Sequence, residues 1–203
     1  CNNFKESLKK INPEDYPLTK MNNLGIYFDY VWDSKKKVKK IKRNKSNFPI
    51  IAKMRGYCLG AGLEIAAACD IRIGDNSVKC GMPEVRVGVP SVVEAALLPG
   101  LIGWGKAKEI MLRGNIFGSQ EAHSIGLLQA VVSPSELESA CEEVEKDILS
   151  SGEIAIASQK RLFLDWEGRS IDESIKKSMA VFSDAYESDE PRLMIDKFFG
   201  SKE

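Results

Sequence analysis

Histidine is almost absent from this sequence, which contains a single one, His123. Metal sites built from several histidines are therefore excluded, as is a Ser-His-Asp triad that relies on any other histidine. Phosphate-binding signatures are also missing, because no Gly-Lys-Ser/Thr occurs and the Gly60-Ala61-Gly62 turn lacks the third glycine of a dinucleotide fingerprint. We expect His123 to be structural or exposed, and no metal to be bound.

Disulfide and membrane-spanning patterns are lacking as well. The five cysteines show no CxxC spacing, and three lie among apolar residues, which is typical of reduced packing residues in an intracellular protein. No apolar run is long enough to cross a bilayer, and no apolar stretch follows the first charges as in a signal peptide. The final Ser-Lys-Glu differs by one residue from a peroxisomal Ser-Lys-Leu signal, but its acidic last residue is expected to spoil binding to the receptor. The sequence does not distinguish between peroxisome, mitochondrion and cytoplasm.

Net charge is zero, with 29 basic and 29 acidic residues, but the balance changes at Phe48. Residues 1–47 carry twelve Lys/Arg against five Asp/Glu, whereas residues 48–203 carry seventeen against twenty-four. Eight of the basic residues lie in Ser34–Lys45, a block that predicts a solvated loop or disordered arm. A nucleic-acid or acidic-membrane patch is the alternative, but no zinc pattern, RNA-binding signature or phased aromatic set accompanies it.

The most informative stretch is residues 50–84. Two short β-branched runs, Ile50–Ala52 and Ile71–Ile73, predict buried strands. Three glycines between them predict a tight turn, and the Ala-rich run Leu63–Ala68 predicts a buried helix directly after it. The predicted order is strand, glycine turn, helix, strand, so backbone N–H groups at the helix start are positioned to hold a phosphate, a carboxylate or a developing oxyanion.

Two glutamates accompany this turn. Glu64 lies in the first helical turn, and Glu84 follows twenty residues later in Gly-Met-Pro-Glu, after the second strand. A glutamate beside an apolar run must find partners or raise its pKa, and two such groups facing one cleft could share acid and base work. The structural alternative is that Glu64 is a charge at a helix start and Glu84 a loop residue.

Several ordered motifs in the chain resemble the enoyl-CoA hydratase/isomerase (crotonase) superfamily. They are FPIIAKMRGYCLGAGLE from Phe48, ACDIRI, CGMPEVRVGVP from Cys80, LPGLIGWGKA, LRGN and AHSIGLL. The resemblance covers roughly residues 48–203. It implies an α/β, crotonase-like fold with a C-terminal helical region that builds trimers, and hence a homotrimer or hexamer.

The resemblance also implies a site. The backbone N–H of Ala61 would donate to the thioester carbonyl as part of an oxyanion hole, and Glu64 and Glu84 would hold and activate a water molecule. Gly60, Gly62, Pro90 and Ser91 would lie against an acyl-CoA substrate, in which coenzyme A is part of the substrate and no separate cofactor is needed. Both carboxylates are present, which favours hydration of a 2-enoyl-CoA in fatty acid or secondary metabolism.

Two alternatives to hydration stay open. One is a double-bond isomerase that uses Glu84 as the proton shuttle, and the other is a truncated, non-catalytic chain that acts only as an oligomer partner. The second arises because no Ser/Ala-Gly-Ala-Asp-like segment, which supplies the other oxyanion donor in the family, occurs between Cys1 and Asn47. The predicted organisation is an atypical basic segment at 1–47, a partial crotonase core at 48–132 and a helical region at 133–203.

Most of the chain beyond Glu84 is predicted to be helical. Ser91 is expected to cap a helix that ends near Pro99-Gly100. Glu94 is expected on the exposed face of this helix, and the alternative is that it faces the cleft as a third acidic group. Further helices are predicted over 105–112, 119–125, 133–149, 153–166 and 171–186, with a last one reaching residue 199. One apolar stripe, formed by Ile171, Ile175, Met179 and Phe182, is expected to pack into the core, and an interface between chains is the alternative.

Overall fold

Two small sheets carry the glycine turn and the two glutamates. The computed structural model describes residues 48–200; the segment predicted at 1–47, with its basic block Ser34–Lys45, lies outside the described residues. In the first sheet, β1 (Ile51–Met54), β3 (Ile71–Asp75) and β6 (Ala130–Val132) lie side by side and run parallel. In the second, β2 (Tyr57–Leu59) is parallel to β4 (Lys79–Gly81), which is antiparallel to β5 (Ile116–Gly118).

The glycine turn lies where the chain passes between the two sheets. Ile51 is opposite Ile71 in the first sheet, and Cys58 is opposite Cys80 in the second. Parallel neighbours need a crossover, and α1 (Ala61–Ala68) supplies it between β1 and β3. The expected strand–turn–helix–strand order is therefore present, with one addition, because the short strand β2 forms inside the stretch predicted to be only a turn.

The helices lie mostly in the second half of the described chain. A first 3₁₀ helix (Pro83–Val87) and a second 3₁₀ helix (Val93–Leu97) follow β4. The α-helices after them are α2 (Leu98–Arg113), α3 (Ser119–Ser124), α4 (Leu137–Leu149), α5 (Glu153–Glu167), α6 (Ile171–Ala185) and α7 (Glu190–Gly200). No helix within residues 48–200 combines the length and the apolar character needed to cross a membrane.

The core forms where α1, the sheets and α2 meet. Leu63 of α1, Leu98 and Ile110 of α2, and Leu127 and Leu128 before β6 are almost completely buried. The thiols of Cys69 and Cys80 are buried and free, and those of Cys58 and Cys141 are free and half-buried. α1 is therefore held on its apolar side by the core, which fixes the direction in which its first turn points.

The region after Glu84 differs from the prediction. Ser91 does not cap a helix: the second 3₁₀ helix has Val92 as its N-cap, with no side-chain capping bond. The chain also continues through Pro99, which lies in the first turn of α2, where a missing N–H costs no helical hydrogen bond. The interruption comes instead at Gly103, whose φ of 75° kinks α2.

The apolar stripe on α6 was also predicted wrongly as core. Ile171, Ile175, Met179 and Phe182 are 79%, 55%, 69% and 67% exposed. The helix itself forms as expected, since Ser170 and Glu173 make a reciprocal capping box at its start. Sequence periodicity thus predicted which face of α6 is apolar, but not whether that face is buried within the chain.

Candidate active site

Gly60 sets the geometry of the turn. Its φ of 54° and ψ of −124° lie in a region that side chains with a Cβ rarely adopt. Its N–H donates to Gly81 O at 2.9 Å, and its carbonyl accepts from Glu64 N at 3.0 Å, so Gly60 joins β4 to the first turn of α1. A Cβ at this position would collide with the carboxylate of Glu84, which shows how closely the bare backbone approaches that group.

The first residues of α1 present open backbone groups. Ala61 and Gly62 are exposed, and a Cβ placed on Gly62 would meet no atom within 4 Å. Among residues 48–200, no acceptor takes a hydrogen bond from Ala61 N–H. An open N–H at the positive end of a helix is suited to a carbonyl oxygen on which negative charge develops.

Glu64 lies beside these groups, one turn into α1, and is buried. Only 4% of its surface is exposed. Burial first, and then the negative charges of Glu84 and Glu94, raise the pKa of Glu64 to about 7, against a lowering effect of the Val92 backbone N–H. A carboxyl group with this pKa can take up or release a proton near neutral pH.

Glu84 reaches the same place from the first 3₁₀ helix. Its Oε1 lies against Gly60, and its Oε2 accepts a hydrogen bond from Ser91 Oγ at 3.1 Å. The Ser91 hydroxyl therefore orients a carboxylate, where the sequence suggested a helix cap. Pro90 is exposed in the loop between the two 3₁₀ helices, directly before Ser91.

Glu94 was predicted wrongly to lie on an exposed face. It is only 9% exposed, because the second 3₁₀ helix packs against α1. Sequence periodicity missed this because it assumed a regular α-helix starting at Ser91. The residue before it, Val93, has a φ of 54°, the only positive φ of a non-glycine residue within the described part of the chain.

Arg72 was not singled out from the sequence, yet it anchors the far end of α1. It is 2% exposed and lies on β3. Its guanidinium donates to Cys69 O at 2.7 Å and Ala66 O at 3.3 Å at the C-terminal end of α1, and to Leu127 O at 2.8 Å. A single arginine in a strand gives no periodic signal, so only its contacts identify it.

Exposed valines lie on the segments that carry Glu84 and Glu94. Val85 and Val87 are 39% and 70% exposed on the first 3₁₀ helix, Val89 and Val92 are exposed in the loop that follows, and Val93 is exposed at the start of the second. Exposed apolar side chains close in sequence to carboxyl groups are compatible with a ligand-binding surface.

The remaining candidates lie elsewhere. His123 is exposed on α3, and its Nδ1 lies 3.0 Å from Leu128 O. Within residues 48–200, no group of three His, Cys, Asp or Glu side chains is arranged to hold a metal ion. The structure thus brings together Gly60, Ala61, Glu64, Glu84 and Ser91, a set that can polarise a carbonyl and move protons beside it.

Comparisons with known proteins identify the family and the fold of this chain. The family model described as enoyl-CoA hydratase/isomerase matches residues 19–200, so the match starts ahead of Phe48, where the sequence motifs begin. The crotonyl-CoA hydratase of Syntrophomonas wolfei is 36% identical over 139 residues, which are 68% of this chain and 52% of that protein. The short-chain-enoyl-CoA hydratase of Clostridium acetobutylicum is 31% identical over 151 residues, 74% of this chain and 58% of that protein.

A solved structure shows the same fold. The enoyl-CoA hydratase from Bacillus anthracis superposes with a TM-score of 0.74 at 28% identity, over 76% of this chain and 60% of that one. The chain spans about half the length of the curated relatives it matches.

Proposed function

This chain belongs to the enoyl-CoA hydratase/isomerase family, and from that membership we propose that it adds water across the double bond of a 2-enoyl-CoA thioester. The hydrogen atom and the hydroxyl group add to the same face of the double bond. The observation that carries the proposal is the pairing of Glu64 and Glu84 next to the open N–H of Ala61. The names of relatives from Syntrophomonas wolfei and Clostridium acetobutylicum, both hydratases of enoyl-CoA esters, support the same reaction.

In this proposal Ala61 stabilises the negative charge that develops on the thioester oxygen. Its N–H donates to the thioester oxygen and stabilises the enolate that forms when the β-carbon is attacked. Donors of this type are worth about a hundred- to a thousandfold in rate each. The segment that supplies the other donor in the family has no match between Cys1 and Asn47, so this proposal names only the Ala61 donor.

Glu64 and Glu84 transfer the protons of the reaction. One carboxylate takes a proton from water as the hydroxyl oxygen bonds to the β-carbon. The other carboxyl group gives its proton to the α-carbon as the enolate collapses, so that one water molecule is added in total. The pair therefore holds one proton between two groups, a state favoured by like charges that share a site. The raised pKa of Glu64 supports this sharing near neutral pH.

The exposed valines beside the site provide apolar surface for the acyl chain. Val85, Val87 and Val89 offer an apolar surface at the edge of the cleft, where a short hydrocarbon chain loses contact with water. Coenzyme A enters as part of the substrate, and the proposal needs no separate cofactor.

We also propose that the chain associates with copies of itself as a homotrimer or hexamer. The stripe Ile171, Ile175, Met179 and Phe182 is exposed, and an apolar groove of about 880 Å³ runs between α5 and α6. Apolar patches of this kind on a folded chain are typical of protein interfaces.

Product analysis tests the reaction. The 203-residue chain is incubated with crotonyl-CoA in D₂O, and the product is analysed by mass spectrometry and NMR. The proposal predicts a 3-hydroxyacyl-CoA with one deuterium at the α-carbon, in the single configuration that syn addition gives. A chain that is folded by circular dichroism and leaves crotonyl-CoA unchanged would contradict hydration. Conversion of a 3-enoyl-CoA into a 2-enoyl-CoA without water uptake would instead favour the isomerase.

A further inference from the structure

The loop from Glu84 to Ser91 folds back on the residue at which it starts. The first 3₁₀ helix, which carries Glu84, ends before Gly88, whose φ of 81° lies in the left-handed region. The N–H of Val89 then donates to Glu84 O at 3.2 Å, and two residues later the hydroxyl of Ser91 donates to Glu84 Oε2 at 3.1 Å. Glu84 is therefore bonded to the far end of its own loop through both its main chain and its side chain.

The two oxygens of the Glu84 carboxylate have different surroundings. Oε1 lies against the backbone of Gly60, the residue before Ala61, whereas Oε2 is held by Ser91. A glutamate side chain has three rotatable bonds and would otherwise spread over several rotamers. The Ser91 bond restricts this freedom at Oε2 and so leaves Oε1 as the oxygen that faces the Gly60 turn.

The Ser91 hydroxyl has only one hydrogen to donate, and that hydrogen is used by Glu84. The family resemblance implies that Ser91 lies against the acyl-CoA substrate. A hydroxyl that donates to a carboxylate cannot donate to a thioester oxygen at the same time. Both side chains are half-buried, so water competes for this bond less than it does at an open surface.

We propose that Ser91 is a positioning residue for hydration, whose hydroxyl sets the orientation of the Glu84 carboxylate beside the Gly60 turn and acts on the reaction only through Glu84. This inference rests on the proposed function. In that reaction Glu84 exchanges a proton with water or with the α-carbon, and such a transfer needs the two atoms within hydrogen-bond reach. A displacement of about 1 Å can cost about a hundredfold in rate. Ser91 therefore raises kcat and leaves the affinity for the thioester almost unchanged.

The first test observes the hydrogen bond without a substrate. The 203-residue chain is labelled with ¹³C at glutamate side-chain carboxyl groups, and the Glu84 resonance is assigned from the Glu84→Gln spectrum. Ser91→Ala, which removes the hydroxyl, is expected to shift this resonance, and Ser91→Thr, which keeps a hydroxyl, to return it toward the wild-type position. Ser139→Ala is the matched control, since it removes an exposed hydroxyl of α4 that donates to Glu136 O at 2.9 Å. A Glu84 resonance that is the same in wild type and Ser91→Ala would overturn the inference.

Steady-state hydration of crotonyl-CoA tests the effect on the reaction. Ser91→Ala should lower kcat by about ten- to a hundredfold with KM within roughly twofold of wild type. Ser91→Thr should recover most of kcat, and Ser139→Ala should leave both constants unchanged. A rise in KM at unchanged kcat would instead show that Ser91 contacts the substrate, and it would overturn the inference.

The wild-type chain separates this inference from the proposed function. If it does not hydrate crotonyl-CoA, the proposed function fails, and the role of Ser91 in hydration fails with it, whatever the NMR spectra show. If wild type turns over and Ser91→Ala keeps the wild-type kcat and KM, hydration stands and only the inference is overturned.

Discussion

At the scale of single residues, the surroundings of Glu64 decide what the site can do. The same side chain on an exposed helix start would be an ordinary carboxylate. Here it is buried and has two acidic neighbours, and these surroundings raise its pKa from 4.5 to about 7. The consequence is a proton that binds and leaves in the physiological range.

This shift predicts a pH dependence of stability. Between pH 4.5 and about pH 7 the folded chain keeps a proton on Glu64 that the unfolded chain releases, so the free energy of unfolding should fall as pH rises through this window. The expected difference is roughly 2–3 kcal/mol, from about 1.4 kcal/mol per unit of pKa.

Urea unfolding at pH 5 and pH 8 measures the effect. Wild type is compared with Glu64→Gln, which cannot titrate at this position and should lose most of the difference. If both proteins respond to pH in the same way, Glu64 titrates normally in the folded state and the assigned pKa is wrong.

Part of this site could be predicted from residue identity alone. Glu64 and Glu84 could be singled out because charged residues beside apolar runs are unusual, and Gly60 because turns favour glycine. Arg72 could not, because its role depends on burial produced by contacts distant in sequence, and for Glu94 an exposed position was wrongly preferred to a buried one. Ser91 was singled out, but its hydroxyl orients Glu84 instead of capping a helix.

At the scale of secondary structure elements, the turn before α1 connects the fold to the site. Gly60 bonds to β4 on one side and to α1 on the other, and its backbone contacts Glu84. A change at this single position therefore affects the start of a helix and the position of a carboxylate together.

Substitution of this glycine should be costly. Gly60→Ala places a Cβ at a φ of 54° and against the Glu84 carboxylate, so we expect a loss of about 1–3 kcal/mol in the free energy of unfolding. Gly62→Ala is the matched comparison two residues later, inside α1, where a Cβ has open space. There the expected change is a gain of roughly 0.5–1 kcal/mol. Thermal unfolding of both variants measures the difference, and equal effects would contradict the structure of the turn.

The elements themselves were predictable to different degrees. Short β-branched runs located β1 and β3, and Gly114, which ends α2 in the left-handed conformation, located its last turn. The prediction for the stretch between Ser91 and Pro99 was wrong because a regular helix was assumed, whereas the chain turns at Val93, with a φ of 54°, into a 3₁₀ helix. Strand β2 was missed because three residues are too few to give a periodic signal.

At the scale of the whole molecule, exposed apolar surface concentrates on the C-terminal helices. The stripe on α6 and residues Leu193, Ile195, Phe198 and Phe199 of α7 are all about half exposed or more. Sequence periodicity identifies such faces but cannot distinguish burial within a chain from burial between chains, and this is why the α6 stripe was assigned to the core.

If these faces join copies of the chain, a charge in the stripe should separate them. Phe182→Asp is expected to reduce the mass measured by light scattering after size exclusion toward that of one chain, because a carboxylate cannot be buried there without a partner. Ser183→Asp introduces the same charge at the next, exposed position of α6 and should leave the assembly intact. A wild-type chain that elutes as a monomer at all concentrations would contradict self-association.

The most direct measurement is the hydration rate of crotonyl-CoA, followed by the loss of enoyl absorbance, for wild type, Glu64→Gln and Glu84→Gln. The account predicts turnover by the wild-type chain and a decrease of about a hundred- to ten-thousandfold in each variant, since each removes one of the two proton-transferring groups. A Glu64→Gln chain that hydrates at the wild-type rate would contradict the two-carboxylate site.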